Sequence, residues 1–320
     1  MSTVASEPRV MHRTARSPST AAAVGFVDQD NLKYSDKQLR KVRWRMKIGQ
    51  WLHYFLAPYQ QRLTLDEHYR IWKARSPGDR LSEAEIARYS GDLLVHDLLK
   101  PEQIEDLGFM ERMVKNAIQG QIATLLEKVF AFDPSVRSVL NIGVYNAFVD
   151  HYMARIHPDI QFTGIDFWHN LAEYNTQLEL PNFRWLRGYA LDIIEAGEAS
   201  GDVTFFSSTA ARIKNAELRR YLRNLSKTAK YVIFNEPLFR TLDGLSRSPD
   251  SVNPHESEPI QIYPVSAGDR EGGYPPCLVH NYRALVSEHF DVVHFYTSPS
   301  DSPLDPRLHL IARNKRIAAM

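Results

Sequence analysis

The stretch from Ser138 to Asp166 constrains this chain more than any other. Ser138-Val139-Leu140-Asn141-Ile142 is an apolar run that ends in Gly143. A helical pattern follows, and a second run closes as Phe162-Thr163-Gly164-Ile165-Asp166. Strand, glycine turn, helix, strand and terminal carboxylate is the layout of a nucleotide-binding βαβ unit. A glycine at the turn lets the backbone bend tightly beside a ligand. The carboxylate ending the second strand sits where a ribose diol needs an acceptor. The same Asp also suits a helix N-cap. The loop itself, Gly143-Val144-Tyr145-Asn146-Ala147, carries one glycine where such loops usually carry two or three.

A length of 320 residues allows one or two domains. A formal net charge of +1 gives no global argument for a nucleic-acid or membrane partner. Cys277 is the single cysteine, which excludes an internal disulfide and a cysteine-rich metal site. It suits a reducing compartment, so a cytoplasmic protein is expected. No apolar run reaches the length of a membrane-spanning helix. No spacing of Asp, Glu or His stands out as a metal site, and none is expected. Residues 1–27 are rich in Ser, Thr, Ala and Arg, with Glu7 the only acid. That composition fits a transit-type segment or a disordered tail, and a tail is drawn over 1–30.

Residues 31–109 read as helices that cover a substrate or join two copies in a homodimer. Ser35…Gln38, Thr64…Glu67 and Ser82…Glu85 are capping boxes, and Pro101 is placed like a first-turn proline. Lys37, Arg40, Lys41, Arg43, Arg45 and Lys47 share a helical pattern with Trp44, Ile48, Trp51, Leu52 and Phe55. Such a helix packs its apolar stripe on its own domain and solvates its charges. Contact with a membrane surface or a nucleic-acid backbone is the other reading.

From residue 110 the pattern changes. Ile118, Ile122, Leu125, Leu126 and Val129 fall on one helical face. Strands are expected near 138–142, 161–165, 183–187, 203–207, 230–235, 291–296 and 307–312, with helices between them. Strand–helix alternation implies a parallel sheet covered on both faces. The connection over 298–306 is too short for a parallel crossover, so the last two strands should be antiparallel. Residues 237–279 form a long connection, the length of a lid loop.

Over 110–320 these pieces together resemble the class I S-adenosylmethionine-dependent methyltransferase superfamily. The resemblance implies an α/β fold: a Rossmann-like methyltransferase sheet of seven strands with a C-terminal antiparallel pair, preceded by an all-helical N-terminal region. It implies S-adenosyl-L-methionine as cofactor, held by Asn141, Gly143, Tyr145, Asp166, Phe167, Tyr189, Ala190, Ser207 and Ser208. Asn141 stands where the family usually has an acid, and carries no charge to meet the methionine ammonium. Tyr145 and Ala147 replace later glycines, and Gly188-Tyr189-Ala190 replaces the common Gly-Asp-Ala.

Asn235-Glu236-Pro237 and His280-Asn281-Tyr282 look like segments of some bacterial small-molecule and sugar methyltransferases. His280 is the first candidate for a general base and Glu236 the second; turn and packing roles are open for both. Tyr263, Tyr274 and Tyr282 are candidate substrate contacts. Ser207-Ser208-Thr209-Ala210 lacks the Asn/Asp-Pro-Pro-Tyr type motif of the nucleic-acid amino methylases, and Cys277 lies in the lid. O- or N-methylation of a small molecule is therefore favoured over a nucleic acid. A methyltransferase-like scaffold without activity, and a nicotinamide-dependent oxidoreductase, are the competing readings.

Overall fold

The computed structural model describes residues 26–30, 37, 40, 41, 44, 48, 100–116, 119–145, 147–167, 180–238, 249–259, 278–298 and 307–317. The three capping boxes of the N-terminal region, the lid residues Tyr263 and Tyr274, and Cys277 lie outside them. Residues 37, 40, 41, 44 and 48 are helical, and Trp44, expected in a packing stripe, is 66% exposed.

Ten strands follow the chain: β1 (Asp28–Asp30), β2 (Ser138–Ile142), β3 (Gln161–Asp166), β4 (Phe183–Arg187), β5 (Val203–Ser207), β6 (Tyr231–Pro237), β7 (Ser257–Pro259), β8 (Leu278–His280), β9 (Phe290–Ser298) and β10 (Arg307–Asn314). The helices are α1 (Pro101–Glu105), α2 (Leu107–Asn116), α3 (Gln119–Phe132), α4 (Phe148–Ile156), α5 (Ala190–Glu195), α6 (Asn215–Leu225) and α7 (Tyr282–Ser287). Pro101 opens α1 at its first turn, where a missing N–H costs nothing.

Eight strands form one sheet in the order β1-β9-β10-β6-β5-β2-β3-β4. β2 to β6 run parallel, and β10 pairs antiparallel with both β6 and β9. This is a Rossmann-like parallel sheet with the expected C-terminal antiparallel pair. The seven expected strands are all present. The eighth is β1, which the composition of its neighbourhood assigned to a tail. Asp-Gln-Asp has no apolar signal; the strand is held by backbone pairing, with Phe295 N–H donating to the Val27 carbonyl. Arg283 adds hydrogen bonds to both carboxylate oxygens of Asp28, at 2.7 and 3.2 Å, and one to Asp250 at 3.0 Å. β7 and β8 form a separate antiparallel pair within the long connection.

Each face of the sheet buries its own core, as the strand alternation requires. Leu140 and Ile142 of β2 join Phe206, Phe234, Leu218, Tyr221, Leu222, Leu285 and Phe290 under α5, α6 and α7. Val139 joins Phe205, Ile233, Ile122, Leu126, Val129 and Met153 under α3 and α4. Ile104, Met110 and Val114 belong to that second core, so α1 and α2 pack with the sheet although most of this stretch precedes the boundary drawn at residue 110. The amino end of the sheet is pinned by Asp202, which accepts from the backbone of Arg137 and Ser138 and pairs with Lys230. Among the described residues, no helix is long and apolar enough to cross a membrane.

Phe206 is fully buried, stacked on Phe234 at 4.9 Å and edge-on to Tyr221 at 5.8 Å. Phe206→Ala should cost about 3–5 kcal/mol. Urea unfolding should show a lower midpoint at an unchanged m-value.

Candidate functional site

Strand register lines up one row of residues along the carboxyl edge of the parallel strands. Ile142 pairs with Ile165 and with Phe206, Asp166 with Arg187, and Ser207 with Asn235. The residues that follow are therefore neighbours in space: Gly143, Phe167, Gly188-Tyr189, Ser208-Thr209 and Glu236. β2 lies between β3 and β5, so the strand order reverses there, and ligands of open α/β sheets bind outside such a reversal.

The loop after β2 takes an unusual backbone. Gly143 has φ +78°, and two side-chain-bearing residues follow it into the left-handed region, Tyr145 at φ +50° and Ala147 at φ +51°. Non-glycine residues held there cost on the order of 1–3 kcal/mol each, and such strain collects at functional sites. Two features hold the loop. Gly164 of β3 has no Cβ, and a Cβ there would stand 2.6 Å from a Val144 methyl, so β3 makes room for the loop. The Asp166 carboxylate accepts the Tyr145 N–H at 2.9 Å and the Phe167 N–H at 2.8 Å. Phe167 and Tyr189 stack on each other, with centroids 5.1 Å apart and planes 13° apart. Ala190, buried, opens α5 directly behind Tyr189.

On the other side of β2, Ser208 also has positive φ, +58°. Its hydroxyl accepts from Arg307 Nη2 at 2.6 Å, and Arg307 further donates to the Asn235 side chain and carbonyl. Thr209 fills the space beside Gly143, where a Cβ would stand 2.2 Å from Thr209 Oγ1. The glycine is thus required by both its φ and its neighbour.

Glu236 and His280 differ from the general-base roles expected for them. Glu236 is fully buried, and its carboxylate accepts three backbone N–H groups, from Thr209, Ala210 and Ala211, at 3.1–3.2 Å. Burial pushes its carboxyl up to about 7, against those three donors and the Arg307 guanidinium. His280 is also fully buried, with Nε2 3.2 Å from the Ala210 carbonyl, and burial lowers its pKa to about 4. The two side chains grip one short 3-10 turn, Ala210–Arg212, from its amide side and its carbonyl side. The Glu236 carboxylate and the His280 Nε2 are engaged with protein backbone. Tyr282, expected to touch substrate, is a core residue packed on Phe234 and His280 at 5.5 and 5.3 Å. These three sit at the expected sheet edge and are buried there, which residue type and position do not reveal.

Two residues of the edge escaped the sequence reading: Arg307 and Asp150. Asp150 stands in the first turn of α4 and accepts from Asn141 Nδ2 at 2.7 Å. Its signal was the uncharged Asn141, whose polarity called for a partner. Among the described residues, no group of three or more His, Cys, Asp or Glu could hold a metal ion.

No family model and no curated protein sequence matches the chain. Solved structures similar to it include N-methyltransferase NodS from Bradyrhizobium japonicum WM9 in complex with S-adenosyl-L-homocysteine. That pair shares 14% identity over 64% of this chain and 91% of the other, at a TM-score of 0.42. An O-methyltransferase family protein from Burkholderia thailandensis is 12% identical over 84% and 71%, at 0.46. Human N-acetylserotonin methyltransferase in complex with SAM is 13% identical over 88% and 70%, at 0.41. Similarity at this level transfers no ligand or activity to this chain.

Glu236 supplies a test of the edge. The unfolded chain releases this proton near 4.5, while the folded protein keeps it to about 7. Between those values the folded state binds more protons, so stability falls as pH rises and is flat above about 7. The contribution is on the order of 3 kcal/mol at most, at 1.36 kcal/mol per pH unit. Glu236→Gln should therefore show a shallower loss than wild type in urea unfolding between pH 5 and 7, whatever its absolute stability.

Proposed function

We propose that this chain is an S-adenosylmethionine-dependent methyltransferase acting on a small molecule. The observation that carries the reading is the group at the strand reversal: the Gly143 loop, the Asp166 carboxylate and the Phe167–Tyr189 stack, on a sheet closed by an antiparallel pair. Asp166, at the end of β3, would accept from a ribose diol. An outer face of the Phe167–Tyr189 stack would carry the adenine, an apolar platform with ordinary aromatic stacking geometry. The loop from Gly143 to Ala147 would lie along the rest of the cofactor, and Ser207 and Ser208 would border the acceptor side. When bound, the cofactor supplies a methyl group already activated by the sulfonium.

What remains for the protein is alignment. Holding two reactants in line can supply several kcal/mol of the barrier. The turn over Ala210–Arg212 is fixed by Glu236 on one side and His280 on the other, so the residues before it, Ser207 to Thr209, form a rigid wall. We assign Glu236 and His280 to positioning that wall. The near-neutral formal charge of +1 is in keeping with a small acceptor rather than a nucleic acid. The antiparallel β9–β10 pair favours this reading over a nicotinamide enzyme, which has no need of it.

The reading is tested by thermal unfolding with S-adenosylhomocysteine, S-adenosylmethionine, NAD and NADP in parallel. A ligand present at about 100 times its dissociation constant stabilises by about 2.7 kcal/mol. S-Adenosylhomocysteine and S-adenosylmethionine should each raise the melting temperature by several degrees, and the dinucleotides should not. Stabilisation by NAD alone would sink the proposal, and no shift with any ligand would favour a scaffold without activity.

A further inference from the structure

We infer that Asn141 and Asp150 together form the acceptor for a cationic ligand group, the α-ammonium at the amino-acid end of the cofactor. The inference rests on the methyltransferase reading and adds to it the source of the negative charge.

Three carboxylates are buried among the described residues, Asp150, Asp166 and Glu236, and all three lie at the carboxyl edge of the sheet. Asp166 holds two backbone amides and Glu236 holds three. Asp150 is different. Its Oδ2 accepts the Asn141 amide at 2.7 Å, while its Oδ1 is buried with no hydrogen-bond partner. The Asn141 amide nitrogen faces the Asp150 carboxyl. The Asn141 Oδ1 must then point elsewhere, and it too is buried with no partner. Two orphaned acceptors on adjacent side chains are rare in a native interior, and each costs about 1–3 kcal/mol.

An ammonium answers both, since it brings three donors and the charge that makes such hydrogen bonds strong. The position fits as well. Asn141 is the penultimate residue of β2, two residues before Gly143, and Asp150 lies in the turn of helix that follows the loop. A ligand laid along Gly143–Ala147 would pass between the strand end and the helix start. Burial pushes the Asp150 carboxyl up to about 7, and an arriving cation favours its ionised form. The neighbouring His151 is fully buried with its pKa lowered to about 4, so it stays neutral, and Arg155 donates to the Glu105 carbonyl.

The test is calorimetric titration of the full chain with S-adenosylhomocysteine and with its desamino analogue, which keeps the adenosine and the carboxylate. Wild type should bind S-adenosylhomocysteine about 10- to 100-fold more tightly than the analogue, the range for a charge-assisted hydrogen bond. Asp150→Asn, close in shape to the wild-type side chain, should remove most of that preference while leaving the analogue's affinity unchanged. The double variant Asn141→Asp with Asp150→Asn should restore it by moving the charge to its partner. Equal affinity of wild type for the two ligands overturns the proposal. So does an Asp150→Asn variant that keeps the preference or weakens both ligands alike. If wild type binds neither ligand, the methyltransferase reading fails and this inference falls with it.

Discussion

The short turn after β5 is the part on which the rest of the site depends. Three consecutive amides, from Thr209 to Ala211, converge on one buried carboxylate, Glu236. That arrangement aims the Thr209 side chain at Gly143, where no Cβ fits. The Gly143 backbone in turn sets the path of the loop whose Tyr145 amide reaches Asp166. A chain of contacts thus runs from β6 through β5 and β2 to β3, each fixing the next. Removing one partner of a buried charged network leaves desolvated groups behind, so such links are costly to break singly. The site is built as a unit.

That interdependence explains which features the sequence made legible. Strand positions were readable because apolar runs and alternation respond to burial, a property each residue carries by itself. All seven runs became strands, and the short connection over 298–306 correctly implied an antiparallel pair. β1 was not legible, since Asp28-Gln29-Asp30 pairs through backbone groups that every residue has. Trp44 shows the opposite failure. Its helical spacing among apolar residues marks a stripe, yet spacing does not say that anything covers the stripe, and the indole is exposed.

Site residues divide in the same way. Gly143, Asp166, Phe167 and Tyr189 were expected together because the ends of parallel strands are where ligands of such sheets bind, and register does bring them together. Glu236, His280 and Tyr282 were picked by the same rule, and in the structure all three are buried against neighbouring protein groups. Position at a sheet edge does not separate a side chain that faces a ligand from one that turns inward to hold a neighbouring turn. Titratable residue type added nothing, because a carboxylate that receives three amides and one that takes a proton from substrate read identically in one dimension. Asp150 was hidden for a related reason. Its partner Asn141 lies on another element, and only the fold brings helix and strand side chains to 2.7 Å.

The first loop has a physical logic of its own. Tyr145 and Ala147 both hold the left-handed conformation that glycine usually provides. That path carries an energetic cost, and Asp166 offsets part of it by accepting the Tyr145 amide. At 141 an amide meets a carboxylate from the next helix, Asp150. A chain that had merely lost its ligand would have no reason to hold a strained loop in that path or to bury a carboxylate oxygen without a partner. Relaxation to glycine-free loop geometry and replacement of Asp150 by an apolar residue would each have been stabilising. Retained strain and retained desolvation at one strand end are the signature of a surface shaped for something that arrives later.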